Sequence, residues 1–322
     1  MDNNIALCIE SSHNRGMGHL YRALNLANGL RNIGVKVIFL LNSHAPAQQL
    51  LKINKYIFEI VTLGDVDSHW EKDIVQYYSI NLWINDRLNT DLRHAQNVKA
   101  LGLPFITFDD QGDGAYLSDV NVAALVFKDK HDLGGKVVLQ GLKYLILNPE
   151  IAKFQRIRKN INSILVTMGG SDTYGVTVDI VKYLASIDKK ATVVIGPAFS
   201  HVKELEQVIT DDFELKNSVD SMISEFYTHD LVITGGGITP VEAAASGLPS
   251  LIIASEIFET KVGHALKNLK VSSFIGYYKA IDWSLISSEL LELPIEIMSQ
   301  AGLECVDLKG RDRVINIIKS YF

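Results

Sequence analysis

The sequence predicts an α/β protein made of two doubly wound parallel-sheet domains that face a cleft. Three observations lead there. Short apolar runs alternate with helical stretches. The alternation runs its course and restarts after a polar segment at residues 148–162. Glycine-containing loops at 16–18, 169–170 and 235–237 lie at the carboxyl ends of predicted strands, where ligands of such sheets sit. The expected organisation is a first domain over 1–150, a second over 163–305, and a terminal helix within 306–322 that packs back on the first domain.

Residues 5–10 are an apolar run suited to a strand covered on both faces. After the loop come Leu20, Ala23, Leu24, Ala27, Leu30 and Ile33 at helical spacing, then Gly34 as a stop and a second strand over 35–41. That is one βαβ unit. The pattern continues as helix 45–54, strand 56–61, helix 70–79, strand 82–86, helix 91–101 and strand 104–110, with short strands at 120–127 and 144–147. Residues 148–162, polar and helical with Pro149 near the start, form the expected linker. The second run is strand 163–168, a helix to 185, strand 191–195, helix 201–209, strand 213–215, helix 219–228, strand 231–233, a helix from Thr239, strand 249–254 and helix 259–269. Residues 308–322 read as an amphipathic helix with Val314, Ile317 and Ile318 on one face.

At 322 residues the chain can bury two ordinary cores. The net charge of −6 and the lack of a basic run argue against a nucleic-acid or membrane-surface partner. Cys8 and Cys305 are too few for a disulfide framework. Residues 1–4 lack a positively charged region and Glu10 interrupts the apolar run, so neither a signal peptide nor a membrane span is expected and the compartment is expected to be the cytoplasm.

The stretch around Gly235-Gly236-Gly237 stops a strand and restarts as a helix. Thr239 as capping hydroxyl, Pro240 as first helical residue and Glu242 three residues on have the pattern of a capped helix start. Glycines there allow close approach by a ligand and favour a phosphate, while an outward Glu242 would accept from ribose hydroxyls. A capping box with no ligand is the plainer reading. Gly169-Gly170-Ser171-Asp172 repeats the theme, and two such loops in one half of the chain favour a diphosphate. Neither matches the phosphate loop of kinases and ATPases nor the dinucleotide fingerprint, which sets those classes aside.

His19 stands at a helix start, where it can take a proton from water or a sugar hydroxyl, or simply bond to backbone. Arg15 and Arg22 flank the same loop and suit either a phosphate or carboxylate of a ligand or a surface acid. Asp86, Asp109 and Asp110 end strands, which suits either substrate hydroxyls or caps of the following turns. His44, His69, His94 and His131 lie in polar segments and are expected at the surface, and no pair has metal-ligand spacing.

The ordered set Gly16-Met17-Gly18-His19-Leu20-Tyr21-Arg22, Phe108-Asp109-Asp110, Asp119-Val120-Asn121, Gly141 with Tyr144, Gly169-Gly170-Ser171-Asp172, Gly235-Gly236-Gly237 with Thr239 and Glu242, Gly247-Leu248-Pro249 and Gly310 with Arg313-Val314 covers nearly the whole chain. It resembles the nucleotide-sugar hydrolases of the pseudaminic-acid pathway and the related spore-coat polysaccharide proteins. The resemblance implies a glycosyltransferase-B type fold of two Rossmann-like domains. It implies UDP at Gly170, Ser171, Gly236, Gly237, Thr239 and Glu242, and His19 activating water to split a UDP-linked diacetamido trideoxy sugar, with no metal or other cofactor. Gly18, Arg22, Asp109, Glu256 and Glu259 are the expected substrate contacts.

The chain departs from the family pattern at Cys8 and Glu10, where Arg and Asp are usual, and at Ser255-Glu256-Ile257-Phe258-Glu259, where an Asn-Gln pair is usual. The second stretch would face the sugar. A glycosyltransferase of the same fold, using a UDP- or CMP-linked donor, is therefore the alternative reading.

Overall fold

The computed structural model describes residues 3–11, 18–126, 132–217 and 219–322. The chain divides into two compact units, residues 1–148 with 309–322, and residues 149–308.

The first unit runs β1 (Asn4–Ile9), α1 (Gly18–Asn32), β2 (Lys36–Leu41), α2 (Ala45–Ile53), β3 (Ile57–Ile60), α3 (Trp70–Tyr78), β4 (Leu82–Asp86), α4 (Leu92–Ala100), β5 (Phe105–Phe108), β6 (Val120–Ala123) and β7 (Val137–Gln140). Among the described residues these strands form one sheet in the order β3-β2-β1-β4-β5-β6-β7, with every pair parallel. Apolar runs make this arrangement possible, because helices cover both faces and leave no side of the central strands for water. All six residues of β1 and all five of β4 are buried. Strand order reverses between β1 and β4, whose register pairs Ile9 with Asp86. The carboxyl ends of these two strands are where such a sheet holds its ligands.

The second unit runs β8 (Ile164–Thr167), α5 (Val176–Ser186), β9 (Ala191–Ile195), α6 (Val202–Glu206), β10 (Phe213–Asn217), α7 (Met222–Thr228), β11 (Leu231–Thr234), α8 (Thr239–Ala245), β12 (Ser250–Ala254), α9 (Ile257–Asn268), β13 (Ser272–Tyr277), α10 (Ser284–Glu292) and α11 (Ile295–Cys305). Its sheet has the order β10-β9-β8-β11-β12-β13, again all parallel, with the reversal between β8 and β11. Both glycine loops of this unit follow the two strands at the reversal. Leu165, Val166, Val232, Ile233, Leu251 and Ile253 are fully buried at the centre of its core.

The last helix, α12 (Gly310–Lys319), belongs to the first unit. It buries Val314, Ile315 and Ile318, while Ile317 is only partly covered. Two glycines let it come close: a Cβ on Gly29 of α1 would meet Ile315 Cδ1 at 2.5 Å, and one on Gly310 would meet the Leu145 carbonyl oxygen at 2.0 Å.

Two local expectations are corrected. Residues 144–147 are not a strand: Leu145, Ile146 and Leu147 are buried but lie between short 3-10 turns, and the seventh strand is Val137–Gln140 instead. As an edge strand, β7 is only partly buried and carries no continuous apolar run. Residues 148–162 are not an α-helix either. They begin with a 3-10 turn at Pro149–Phe154, and Arg158 is fully buried, donating to the carbonyls of Phe226, His229 and Ser246. Among the described residues no helix is long and apolar enough to cross a membrane.

Candidate functional site

In the first unit the sequence-predicted residues converge on one buried cluster. His19 and Arg22 sit on the first turns of α1, Asp86 is the last residue of β4, and Asp109 follows β5 in a left-handed conformation with φ of 48°. The Arg22 guanidinium donates through Nε to Asp86 Oδ2 at 2.9 Å, through Nη2 to Asp86 Oδ1, and through Nη1 to Asp109 Oδ2. Asp109 Oδ1 accepts from the backbone N–H of Leu125 at 2.8 Å. Arg22, Asp86 and Asp109 are all at least nine-tenths buried.

His19 completes the cluster. Its Nδ1 lies 2.5 Å from Asp86 Oδ1, and its side chain is 17% exposed. An ionised carboxylate can only accept, so in the neutral ring Nδ1 carries the proton and Nε2 holds a lone pair. Burial alone would raise the Asp86 pKa, but the charge of Arg22 and the contact with His19 hold it well below the usual carboxylate range. Against the cost of its burial, the carboxylates of Asp86 and Asp109 keep Arg22 protonated. The result is an imidazole oriented by a fixed carboxylate that is itself fixed by an arginine.

These positions differ from two expectations. Arg22 is not a surface or ligand-facing cation, because two internal carboxylates occupy it. Asp109 has both carboxylate oxygens engaged, so it supports Arg22 rather than presenting a free acceptor. Asp110 clamps the following turn, accepting from the Thr90 hydroxyl and from the N–H groups of Thr90 and Gly112, each at 2.9 Å. Gly18 is the first residue of α1 and is partly exposed. Arg15, Gly16, Met17 and His131 lie outside the described residues.

Two histidines expected at the surface are buried. His94 is inaccessible, with Nδ1 2.7 Å from Glu71 Oε1, and it stacks on Trp70 with ring centroids 5.5 Å apart. Burial lowers its pKa against the pull of Glu71. His44 is buried with Nδ1 2.8 Å from Ser11 Oγ.

In the second unit the two glycine loops differ in what their helices already hold. Asp172 accepts from the N–H groups of Val176 at 2.9 Å and Thr177 at 2.8 Å, so the start of α5 is satisfied by an internal carboxylate. The loop before it is held closely: Ala198 N–H donates to the Gly170 carbonyl at 3.0 Å, and a Cβ on Gly196 would lie 2.4 Å from that oxygen. Ser171 is partly exposed beside Thr173, with hydroxyls 3.4 Å apart.

At α8 the expected capping box is absent. Ile238 is the N-cap residue, Thr239 is already helical, and no side chain caps this helix. The reason is one position of slip: with Pro240 at the second helical position, the Thr239 backbone is helical rather than extended, so its hydroxyl is not placed to accept from the first turn. Glu242 is partly buried, and burial pushes its carboxyl up to about 7. The reciprocal cap is found one helix later, where Glu259 Oε2 accepts from Ser255 N–H at 2.7 Å and Glu256 N–H at 3.3 Å. Glu256 is exposed and accepts from the Tyr174 hydroxyl at 2.8 Å. Tyr174 in turn stacks on Tyr278 with centroids 4.5 Å apart.

No known family profile matches the chain. It is 29% identical over 270 residues to an uncharacterized protein of Methanocaldococcus jannaschii, a match covering 77% of this chain and 55% of that protein, so the chain spans about half the length of that relative. It is 21% identical over 342 residues to the spore coat polysaccharide biosynthesis protein SpsG of Bacillus subtilis, covering 99% of this chain and 98% of that one. Among solved structures, MurG of Acinetobacter baumannii superposes with a TM-score of 0.71 at 12% identity, covering 99% of each chain. MnaA of S. aureus, in a co-structure with UDP, superposes with a TM-score of 0.66 at 15% identity, covering 99% of this chain and 96% of that one. The chain is thus similar at low identity to a spore coat polysaccharide biosynthesis protein and has the fold of two parallel-sheet α/β domains of the glycosyltransferase-B type.

Proposed function

We propose that the chain acts on a nucleotide-activated sugar in surface polysaccharide or nonulosonic acid assembly, hydrolysing a UDP-linked amino or deoxy sugar to UDP and the free sugar. The observation that carries this reading is the 2.5 Å contact between His19 Nδ1 and Asp86 Oδ1, which leaves Nε2 as the proton acceptor. In the reaction His19 Nε2 takes a proton from water as the water oxygen bonds to the anomeric carbon. The bond from that carbon to the diphosphate oxygen breaks, and its electron pair leaves with UDP. Asp86 steadies the imidazolium that forms, and Arg22 with Asp109 keeps Asp86 in place, so orientation is supplied before the substrate arrives.

In the second unit the nucleotide belongs at Gly170, Ser171, Gly236, Gly237 and Thr239, with Glu242 on the ribose hydroxyls. The likeness to a spore coat polysaccharide protein and to a structure that holds UDP supports this substrate class. A glycosyltransferase using the same base on an acceptor hydroxyl is the second reading. The glycosyltransferase neighbours favour it, as do Ile257 and Phe258, which stand 73% and 59% exposed at the start of α9.

Nuclear magnetic resonance of the purified protein with UDP-linked amino sugars separates the two. Free sugar and UDP appearing together without any acceptor is the expected result. A donor that stays intact until a hydroxyl acceptor is added establishes the transferase instead, and a donor untouched under both conditions overturns the assignment to nucleotide sugars.

A further inference from the structure

A carboxylate from the next helix lies against the loop 235–237. Glu259 folds back from the first turn of α9, its Oε2 held by the N–H groups of Ser255 and Glu256. Its stem packs so tightly on the loop that a Cβ on Gly236 would meet Glu259 Cβ at 2.6 Å. This contact, rather than a ligand, excludes any side chain at Gly236. The glycines on either side are not clashed: a Cβ on Gly235 would have Met168 Cε at 3.7 Å and Glu259 Oε1 at 3.9 Å, and one on Gly237 would have Glu259 Oε1 at 3.9 Å. A ligand lying over Gly235 and Gly237 therefore meets that oxygen. Glu256 adds a second carboxylate on the same turn, and burial raises the Glu259 pKa against the backbone N–H groups that hold its ionised form.

We propose that Glu259 selects the charge state of the nucleotide at this loop, favouring a sugar-esterified diphosphate over the free nucleoside diphosphate. The proposal rests on the nucleotide site proposed above. The two ligands share the base, ribose and diphosphate, but the terminal phosphate of the free diphosphate loses a second proton at about pH 6 and then carries one more negative charge. That extra charge arises only when the bond to the sugar is cut, so the same carboxylate that tolerates the substrate repels the product and speeds its departure. An added unit charge at about 5 Å in an effective dielectric of about 20 corresponds to roughly a hundredfold in affinity, which water and salt reduce to roughly tenfold.

The test is calorimetric titration of the full chain at pH 8 with UDP and with UDP-N-acetylglucosamine, for wild type, Glu259→Gln and Glu259→Asp. The expected result is that Glu259→Gln tightens UDP relative to the sugar ester by roughly tenfold, while Glu259→Asp keeps the wild-type ratio. Wild type supplies a second measurement that needs no variant: raising salt from about 0.05 M to about 0.5 M improves UDP relative to the ester, because the repulsion is screened. Binding of both ligands with a ratio that neither Glu259→Gln nor salt moves overturns the role of Glu259 and leaves the nucleotide site standing. Binding of neither ligand to the wild type overturns both.

Discussion

Arg22 donates to Asp86 and Asp109 together, so one guanidinium charge is shared by two buried carboxylates and the trio is left with net negative charge beside His19. Asp86→Asn keeps the shape but removes the fixed negative charge behind His19, and an amide can donate to Nδ1 and so invert the tautomer. Turnover is expected to fall roughly a hundredfold or more with little change in UDP affinity, measured as kcat alongside a UDP titration. Glu242 gives a prediction in pH. Its folded-state pKa of about 7 lies above the ordinary 4.5, so the folded protein holds a proton there that the unfolded chain has lost, and this group's contribution to stability falls as pH rises from 4.5 to 7. Glu242→Gln should therefore be more stable than wild type at pH 8 by on the order of 2 kcal/mol, and equal to it at pH 4, in urea unfolding at the two pH values. The position of His19 at a helix start after a glycine loop is visible in the sequence. The pairing of His19 with Asp86 is not, because the two lie at the ends of α1 and β4, and only the strand order, with β1 beside β4, brings them together.

Elements with strong apolar periodicity were legible, while those whose form depends on neighbours were not. Strands β1, β2, β4, β8 and β12 are buried almost throughout and announce themselves as continuous apolar runs. Strand β7 lies at the sheet edge with a half-polar sequence, and the apolar residues 145–147 serve instead as a buried seat for α12. At the glycine loops of the second unit Thr239 has the composition of a cap, but the side chains that accept from neighbouring helix starts are Asp172 and Glu259. Gly310 is the element-scale test. Gly310→Ala sets a methyl into the Leu145 carbonyl and must push α12 outward, which should cost about 1–3 kcal/mol in urea unfolding. A variant as stable as wild type would show that α12 is not seated by this contact.

At the scale of the whole molecule, the chain carries two sheets with separate cores, the first closed by a helix from the far end of the sequence. Two successive runs of alternating strand and helix were enough to read that doubling. A chain truncated after Leu308 should lose hydrogen-exchange protection in α1 and around residues 142–147, where α12 packs, while the strands of the second unit keep theirs. Uniform loss in both units would contradict the separation of the cores.

The proposed role of His19, held by Asp86, is that of the base in cleavage of a nucleotide sugar. The most direct measurement compares single turnover of a UDP-linked amino sugar by wild type and His19→Asn, with UDP affinity measured on both proteins. Unchanged UDP binding and a rate lower by roughly a hundred- to ten-thousandfold are expected in His19→Asn. Equal rates in the two proteins would contradict that role.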